Sequence, residues 1–287
     1  MAFKVACAQF TPRKAAVAHN LDRIAEIVLQ AQGEEVDLLT FSETSTSGYF
    51  LEGGVLDVAM TSDQLVVELS RRLSGRIERP IDVLIGFYQN ADGNLYNSAA
   101  YFELAEHGPR LVHVYRKFFL PTYGVFDEER YVSRGRELGV FETRFGRMAT
   151  LICEDIWHSF LPSLCAVAGA QVILVPSASP GRGFTGETVG NLDRYQRLLT
   201  AVSEEHGIFC VNTQLCGFEG GKGFVGGSMV TDPFGRLIGQ APVQEEHMLV
   251  TNIDLDLVTV ARAQTPLISD LQTAWSDIRT IVAELDF

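Results

Sequence analysis

Short apolar runs, too brief to be helices, alternate along this chain with stretches whose apolar residues recur every three or four positions. Phe3 to Phe10 (FKVACAQF) is one such run and Val36 to Phe41 (VDLLTF) another. Between them, Asn20 to Gln32 places Leu21, Ile24, Ile27, Val28 and Ala31 on one helical face, and Gly33 follows as a stop. Asp63 to Leu73 repeats the helical pattern through Leu65, Val66, Leu69 and Leu73. Strand-like runs then follow one another: Asp82 to Tyr88, Ser98 to Leu104 and Leu111 to Tyr115. Two more, Met148 to Ile152 and Val172 to Val175, enclose the helical stretch Phe160 to Ala168. Leu192 to His206 reads as a longer helix and Ile208 to Asn212 as a strand. Asp232-Pro233-Phe234-Gly235 turns the strand Ser228 to Thr231 back on Arg236 to Gly239, and Met248 to Ile253 closes the set. Both βα alternation and strand-only runs occur, so the expected class is α/β, with mixed sheets covered by helices in an α-β-β-α layering. The tail from Pro266 carries Leu271, Trp275, Ile278, Ile281 and Val282 at helical spacing, an apolar face that needs a partner. No linker, repeat or low-complexity tract interrupts the pattern. Residues 1–287 are therefore expected to form one domain with a C-terminal arm at about 266–287.

Charge narrows the function. With 36 Asp+Glu against 23 Lys+Arg the net charge is −13, a field that repels polyanions and argues against a nucleic-acid partner. No apolar run reaches the roughly 18 residues of a membrane span, and Met1 to Phe10 shows no cleavable signal pattern. The five cysteines, Cys7, Cys153, Cys165, Cys210 and Cys216, are odd in number and contain no CxxC. That speaks against a disulfide framework and a cysteine zinc site. The expectation is a cytoplasmic enzyme with free thiols, no metal, no cofactor and no membrane partner.

Three residues stand where strands end. In Leu151-Ile152-Cys153-Glu154-Asp155-Ile156-Trp157 an apolar strand stops at a cysteine and a helix is expected to begin. Helix N-terminal amides lower a thiol pKa and can hold an oxyanion, which suits a nucleophile; a buried structural thiol is the plainer reading of Cys153 alone. The other cysteines sit inside strands or a helix, except Cys216, which falls in a glycine-rich loop and could be exposed. None of the six histidines lies in a motif, and His158, five residues after Cys153, is expected to point away from it. A carboxylate could serve as base instead. Glu43 directly follows VDLLTF, where burial would raise its pKa; an exposed loop acid is the alternative. Lys117 ends LVHVYR and begins Lys117-Phe118-Phe119-Leu120-Pro121, where an ammonium could hold a developing oxyanion or simply snorkel to the surface. Gly221 to Gly226 (GKGFVG) matches GxGxxG, but it precedes a strand and opens no helix, so it reads as a flexible loop with close backbone packing.

Taken together, these residues resemble the nitrilase, or carbon–nitrogen hydrolase, superfamily over nearly the whole chain. VACAQF is similar to its first strand, and Phe41-Ser42-Glu43 to its Pro-Glu segment, with Ser42 in place of Pro. Arg116 to Pro121 is similar to its lysine motif, with Phe119 where His is frequent. Cys153-Glu154-Asp155 is similar to its nucleophile motif, and Gly226-Gly227-Ser228, Asp232-Pro233 and Gly235 to its closing hairpin. The resemblance implies a four-layer α-β-β-α sandwich and a homodimer or higher homo-oligomer in which the C-terminal arm finds its partner. It also implies a Glu43, Lys117 and Cys153 chemistry on a small-molecule amide or nitrile. Glu128 in Tyr123-Gly124-Val125-Phe126-Asp127-Glu128 matches the glutamate that supports the lysine, with Glu129 as the alternative. The segments around Glu128 and Cys153 are most similar to the glutamine-hydrolysing domain of NAD synthetase. This chain is expected to stand alone, since it ends at Phe287 with no room for the second, ATP-using domain. Glu154 following the cysteine favours an amidase over a nitrilase or an N-carbamoyl amide hydrolase; a non-catalytic dimeric scaffold is the reading from a different class. Ser177 to Gly183 and Asn191 to Arg194 are expected to line or support the pocket, with Glu154, Trp157, Ser177 and Arg182 as candidate substrate contacts. Arg182 could meet a carboxylate or be a solvated loop arginine.

Overall fold

In the computed structural model, which describes residues 1–185 and 188–285, the apolar runs pair into two six-stranded sheets. The first takes β1 (Ala2–Gln9), β2 (Leu38–Phe41), β3 (Ile81–Ala91), β4 (Asn94–Ala105) and β5 (Gly108–Arg116) in order, with His247–Asp254 added beyond β1. The second takes β6 (Val140–Thr143), β7 (Gly146–Thr150) and β8 (Val172–Ser177), then Phe209–Gln214, Met229–Thr231 and Leu237–Gln240. β1, β2 and β3 run parallel, as do β7, β8 and Phe209–Gln214; their other neighbours are antiparallel, so both sheets are mixed. Parallel neighbours require crossovers. The helices Val17–Gly33, Ser62–Leu73, Phe160–Val167 and Gly190–His206 supply them.

The layers are helix, sheet, sheet, helix. β2 shows why its run is buried at every position. Leu39 and Phe41 pack outward on Ile24, Val28, Leu65 and Leu69 of the first helical layer, while Leu38 faces the other way. Leu38 joins Val5, Cys7, Leu84 and Tyr101 in a core shared with Leu174, Val211, Leu199 and Leu161 of the second sheet and its helices. A strand buried on both faces has no polar side to display. Polar contacts also cross between the sheets: the Thr40 and Thr213 hydroxyls are 2.6 Å apart, and Thr40 donates to the Ala6 carbonyl. Helix ends follow local chemistry. Thr61 and Gln64 form a reciprocal capping box at the start of Ser62–Leu73, and Gly207, at φ 58°, ends Gly190–His206 in the left-handed conformation.

Several expectations change. The tail is two helices, Leu267–Thr273 and Trp275–Glu284; Ile268 is buried, whereas Ile281 and Val282 stay about half exposed. The segment read as a flexible glycine-rich loop is an antiparallel hairpin, Cys216–Glu219 with Lys222–Val225. Cys216 is accordingly buried, its sulfur 3.5 Å from the Thr11 hydroxyl, and all five cysteines are free and buried. Among the described residues no helix is long and apolar enough to cross a membrane.

Gly86 of β3 supports the turn after β2. A methyl group there would run into the Ser42 carbonyl and lie 2.6 Å from the Thr44 nitrogen. Gly86→Ala should therefore destabilise the protein by about 1–3 kcal/mol. Urea unfolding checks this, and an unchanged midpoint would mean the turn yields freely.

Candidate active site

β2, β4 and β5 each deliver one polar side chain to the same buried place. The turn after β2 carries Glu43, β4 carries Asn97, and Lys117 directly follows β5. The Lys117 ammonium donates to Glu43 Oε1 at 2.7 Å and to Glu128 Oε2 at 2.7 Å. Glu128 lies in a short turn, Glu128–Arg130, whose chain is folded back by its own amide donating to the Pro121 carbonyl. Asn97 Nδ2 donates to both carboxylates, and the Ala178 amide, just beyond β8, donates to Glu43 Oε2 at 2.8 Å. Glu129, the alternative to Glu128, has no part in this cluster.

Cys153 follows β7 at φ 49°, a left-handed conformation unusual for a residue with a side chain. The expected helix is only a tight five-residue turn, Cys153–Trp157. The Cys153 sulfur lies 3.2 Å from the Tyr195 hydroxyl and in the field of the Glu43 carboxylate. One buried side chain ties this turn to the lysine. Asp155 accepts from the Ile152 amide at 3.0 Å, the Phe119 amide at 2.8 Å, the Phe118 amide and the Tyr115 hydroxyl. The end of β5 and the elbow after β7 thus hang from one carboxylate.

The electrostatics follow from burial. Desolvation, then the like charge of Glu128 against the opposing pull of Lys117, leaves Glu43 above the ordinary carboxylate range. Burial alone would pull Lys117 down, but Glu128 and Glu43 outweigh it and hold the ammonium charged. The expectation of a thiol pKa lowered by helix amides is wrong for Cys153. Burial, and then the nearby Glu43 carboxylate, push the thiol well up, and the short turn offers too few amides to offset them. Burial also raises Asp155, to about 7. A thiol of this kind is protonated at neutral pH and needs a base to react.

Beside the elbow lies a cleft of about 520 Å³, lined by Tyr123, Glu154, Trp157, His158, Arg182 and Arg194. Trp157 packs edge-on against Tyr195, the hydroxyl partner of Cys153, so the cleft wall is one side chain from the thiol. Glu154 accepts from Tyr123, and His158 stacks on Phe119. Arg182 sits over Phe126 and Tyr123, and among the described residues its Nε lacks a partner. Ser177 is a correction: it is fully buried, takes a hydrogen bond from Asn212 and donates to the Val175 carbonyl, so it supports the wall without lining the cleft. Asn97, Tyr195 and Asp155 were not singled out in the sequence as site residues. Only Asp155 carried a signal, its place two residues after the cysteine. Among the described residues no cluster of three or more His, Cys, Asp or Glu could hold a metal ion.

A model of the carbon-nitrogen hydrolase family matches residues 4–263. The glutamine-dependent NAD(+) synthetase of Thermotoga maritima is 31% identical over 258 residues, which are 88% of this chain and 42% of that protein. The glutamine-dependent NAD+ synthetase of Acinetobacter baumannii superposes with a TM-score of 0.77 at 29% identity, covering 90% of this chain and 47% of that one. The chain thus spans less than half the length of these synthetases. An amidase from Nesterenkonia sp. superposes with a TM-score of 0.72 at 28% identity and is covered over 94% of its length. In a mutant of that amidase the acetamide moiety of fluoroacetamide is added covalently at the active site cysteine.

Asp155→Ala would leave four donors without an acceptor, each buried donor costing about 1–3 kcal/mol. The variant should lose at least about 3 kcal/mol, whereas Tyr115→Phe should lose only about 1 kcal/mol. Denaturant titration of both checks this; equal, small losses would mean water replaces Asp155.

Proposed function

The chain belongs to the carbon-nitrogen hydrolase family, and from that premise we propose that it hydrolyses a small amide to a carboxylic acid and ammonia through a thioester on Cys153. The observation that carries this reading is the lysine held between two buried carboxylates, with the Cys153 thiol in the field of one of them, Glu43.

Glu43 takes the thiol proton and the sulfur attacks the amide carbon, forming the C–S bond. The oxyanion is held by Lys117 and the Glu154 amide, donors worth about 3–4 kcal/mol each in comparable sites. As the tetrahedral species collapses, the C–N bond breaks and Glu43 passes its proton to the leaving ammonia. Water then gives a proton to Glu43 and attacks the thioester carbon. The C–S bond breaks and the same proton returns to the sulfur, restoring the starting state. Glu128 keeps Lys117 charged and aimed throughout. Substrate approaches along the cleft at Glu154, Trp157 and Arg182. The likeness to the Nesterenkonia amidase supports an amide over a nitrile or an N-carbamoyl group.

We also propose that a second copy of the chain covers the groove between helix Phe160–Val167 and the tail, lined by Phe160, Leu164, Trp275, Ile278 and Val282. Each large side chain buried there would contribute about 1.5–3 kcal/mol. Light scattering at micromolar concentration should give at least twice 31.6 kDa; a clean monomer at 31.6 kDa would overturn it.

Cys153→Ala should abolish ammonia release from a panel of small amides while leaving the unfolding transition in place. Glu43→Gln should lower turnover by roughly 10²–10⁴-fold and slow alkylation of Cys153, because the thiol loses its base. Turnover retained in either variant would move the chemistry elsewhere. Activity needs Glu43 ionised, so it should fall as pH drops through the raised Glu43 pKa. The acid limb of kcat/KM should therefore lie above the ordinary glutamate value of 4.5, and a limb at or below 4.5 would exclude Glu43 as the base.

A further inference from the structure

The hairpin Cys216–Glu219 with Lys222–Val225 takes no part in the chemistry above, yet it carries a buried acid. Glu219 is 2% exposed, and its Oε2 accepts from the Tyr49 amide at 2.9 Å and the Phe50 amide at 2.9 Å. Among the described residues its Oε1 has no partner, and it faces Gly48, which stands at φ 80°. A Cβ on residue 48 would lie 2.6 Å from that oxygen, so the carboxylate fits only against glycine. Lys222, one strand over, lies 4.3 Å above the Phe50 ring. The hairpin thus holds the turn at residues 48–50 from both sides.

Tyr49 is the residue that matters in that turn. Its amide is held by Glu219, its carbonyl accepts from the Tyr88 hydroxyl at 2.8 Å, and its own hydroxyl donates to Glu128 Oε2 at 3.1 Å. That oxygen also accepts from Lys117, whose ammonium is 5.6 Å from the centre of the Tyr49 ring. A continuous line of hydrogen bonds therefore runs from Glu219 through Tyr49 and Glu128 to Lys117.

We propose that Glu219 is a positioning residue: by clamping the Tyr49 amide, the hairpin keeps the Tyr49 hydroxyl on Glu128 and so holds the Lys117 ammonium where the developing oxyanion needs it. The proposal rests on the catalytic reading of Glu43, Lys117 and Cys153 given above. Without the clamp, two buried amides lose their acceptor and the turn relaxes, and a misplacement of ~1 Å can cost about a hundredfold in rate.

The test compares wild type with Glu219→Ala, Glu219→Gln, Tyr49→Phe and the Glu219→Ala/Tyr49→Phe double variant. Three readouts are taken: thermal unfolding, the rate of Cys153 alkylation by iodoacetamide followed by mass spectrometry, and ammonia release with kcat and KM separated. Glu219→Ala should stay folded but label and turn over more slowly by about tenfold to a hundredfold, with the loss in kcat. Glu219→Gln, whose single carbonyl oxygen can take both amides, should stay within about threefold of wild type. Tyr49→Phe should reproduce most of the alanine loss, and the double variant should add little to it. A folded Glu219→Ala protein with wild-type labelling and kcat overturns the proposal, as do additive losses in the double variant. Should Glu219→Ala not fold, the other single variants decide: a fast Glu219→Gln with a slow Tyr49→Phe supports the clamp, and a wild-type rate in Tyr49→Phe removes it. A wild-type Cys153 that labels no faster than the other four thiols overturns the catalytic reading itself.

Discussion

An ammonium group buried out of reach of water is tolerable only where negative charge and hydrogen bonds replace its hydration. Lys117 is in that position, and much of the architecture can be read as the means of holding it there. Its two carboxylates come from positions 43 and 128. Their remaining lone pairs are taken by Asn97 of β4, by Tyr49 and by the Ala178 amide. These groups are far apart in sequence and meet because β2, β4 and β5 bring Glu43, Asn97 and Lys117 together in one sheet, with the Ala178 amide arriving from the end of β8 in the other. Removing any one charge would leave the others buried and uncompensated, so the cluster is an all-or-none arrangement. Its pull runs in opposite directions on its members. The shared negative charge keeps Lys117 ionised, while the same burial makes Glu43 readier to hold a proton.

The thiol shows how position and environment can disagree. A cysteine at the end of a strand, followed by polar residues, suggests a helix whose amides would acidify it. The chain instead makes a five-residue turn and encloses the sulfur among Glu43, Tyr195 and the sheet end. Desolvation then outweighs the few amides available. In the proposed reaction the thiol's own acidity therefore supplies nothing, and a neighbouring base is required. Asp155 makes that neighbourhood possible by gathering the Ile152, Phe118 and Phe119 amides on one carboxylate.

The layered α/β architecture was legible because a strand buried on both faces reads as a short, mostly apolar run, as in VDLLTF, and a helix on one face reads as a stripe. Glu43, Lys117 and Cys153 were legible because each directly follows such a run. What escaped depends on register between distant strands. Nothing local to Asn97 shows that its amide spans two carboxylates, and nothing local to Tyr195 shows that its hydroxyl meets Cys153. The hairpin after Leu215 was read as a loop because its short, glycine-rich strands show no alternation, and the burial of Cys216 went unseen with it. Ser177 ends β8 near the site, but its side chain turns to Asn212, a direction the sequence does not carry.

The hydroxyl pair between the sheets bears on how such a chain can change over generations. Thr40 stands three residues before Glu43, and Thr213 pairs in register with Pro176, two residues before Ala178. A slip of one strand residue between the layers, ~3.3 Å, would carry the Ala178 amide away from Glu43. Losing Thr40 alone takes away the partner of the Thr213 hydroxyl in the interior, whereas losing Thr213 leaves Thr40 still donating to the Ala6 carbonyl. Drift at these two sites should therefore be ordered: Thr213 can change first at little cost, whereas a lineage that loses Thr40 would be selected to change Thr213 as well.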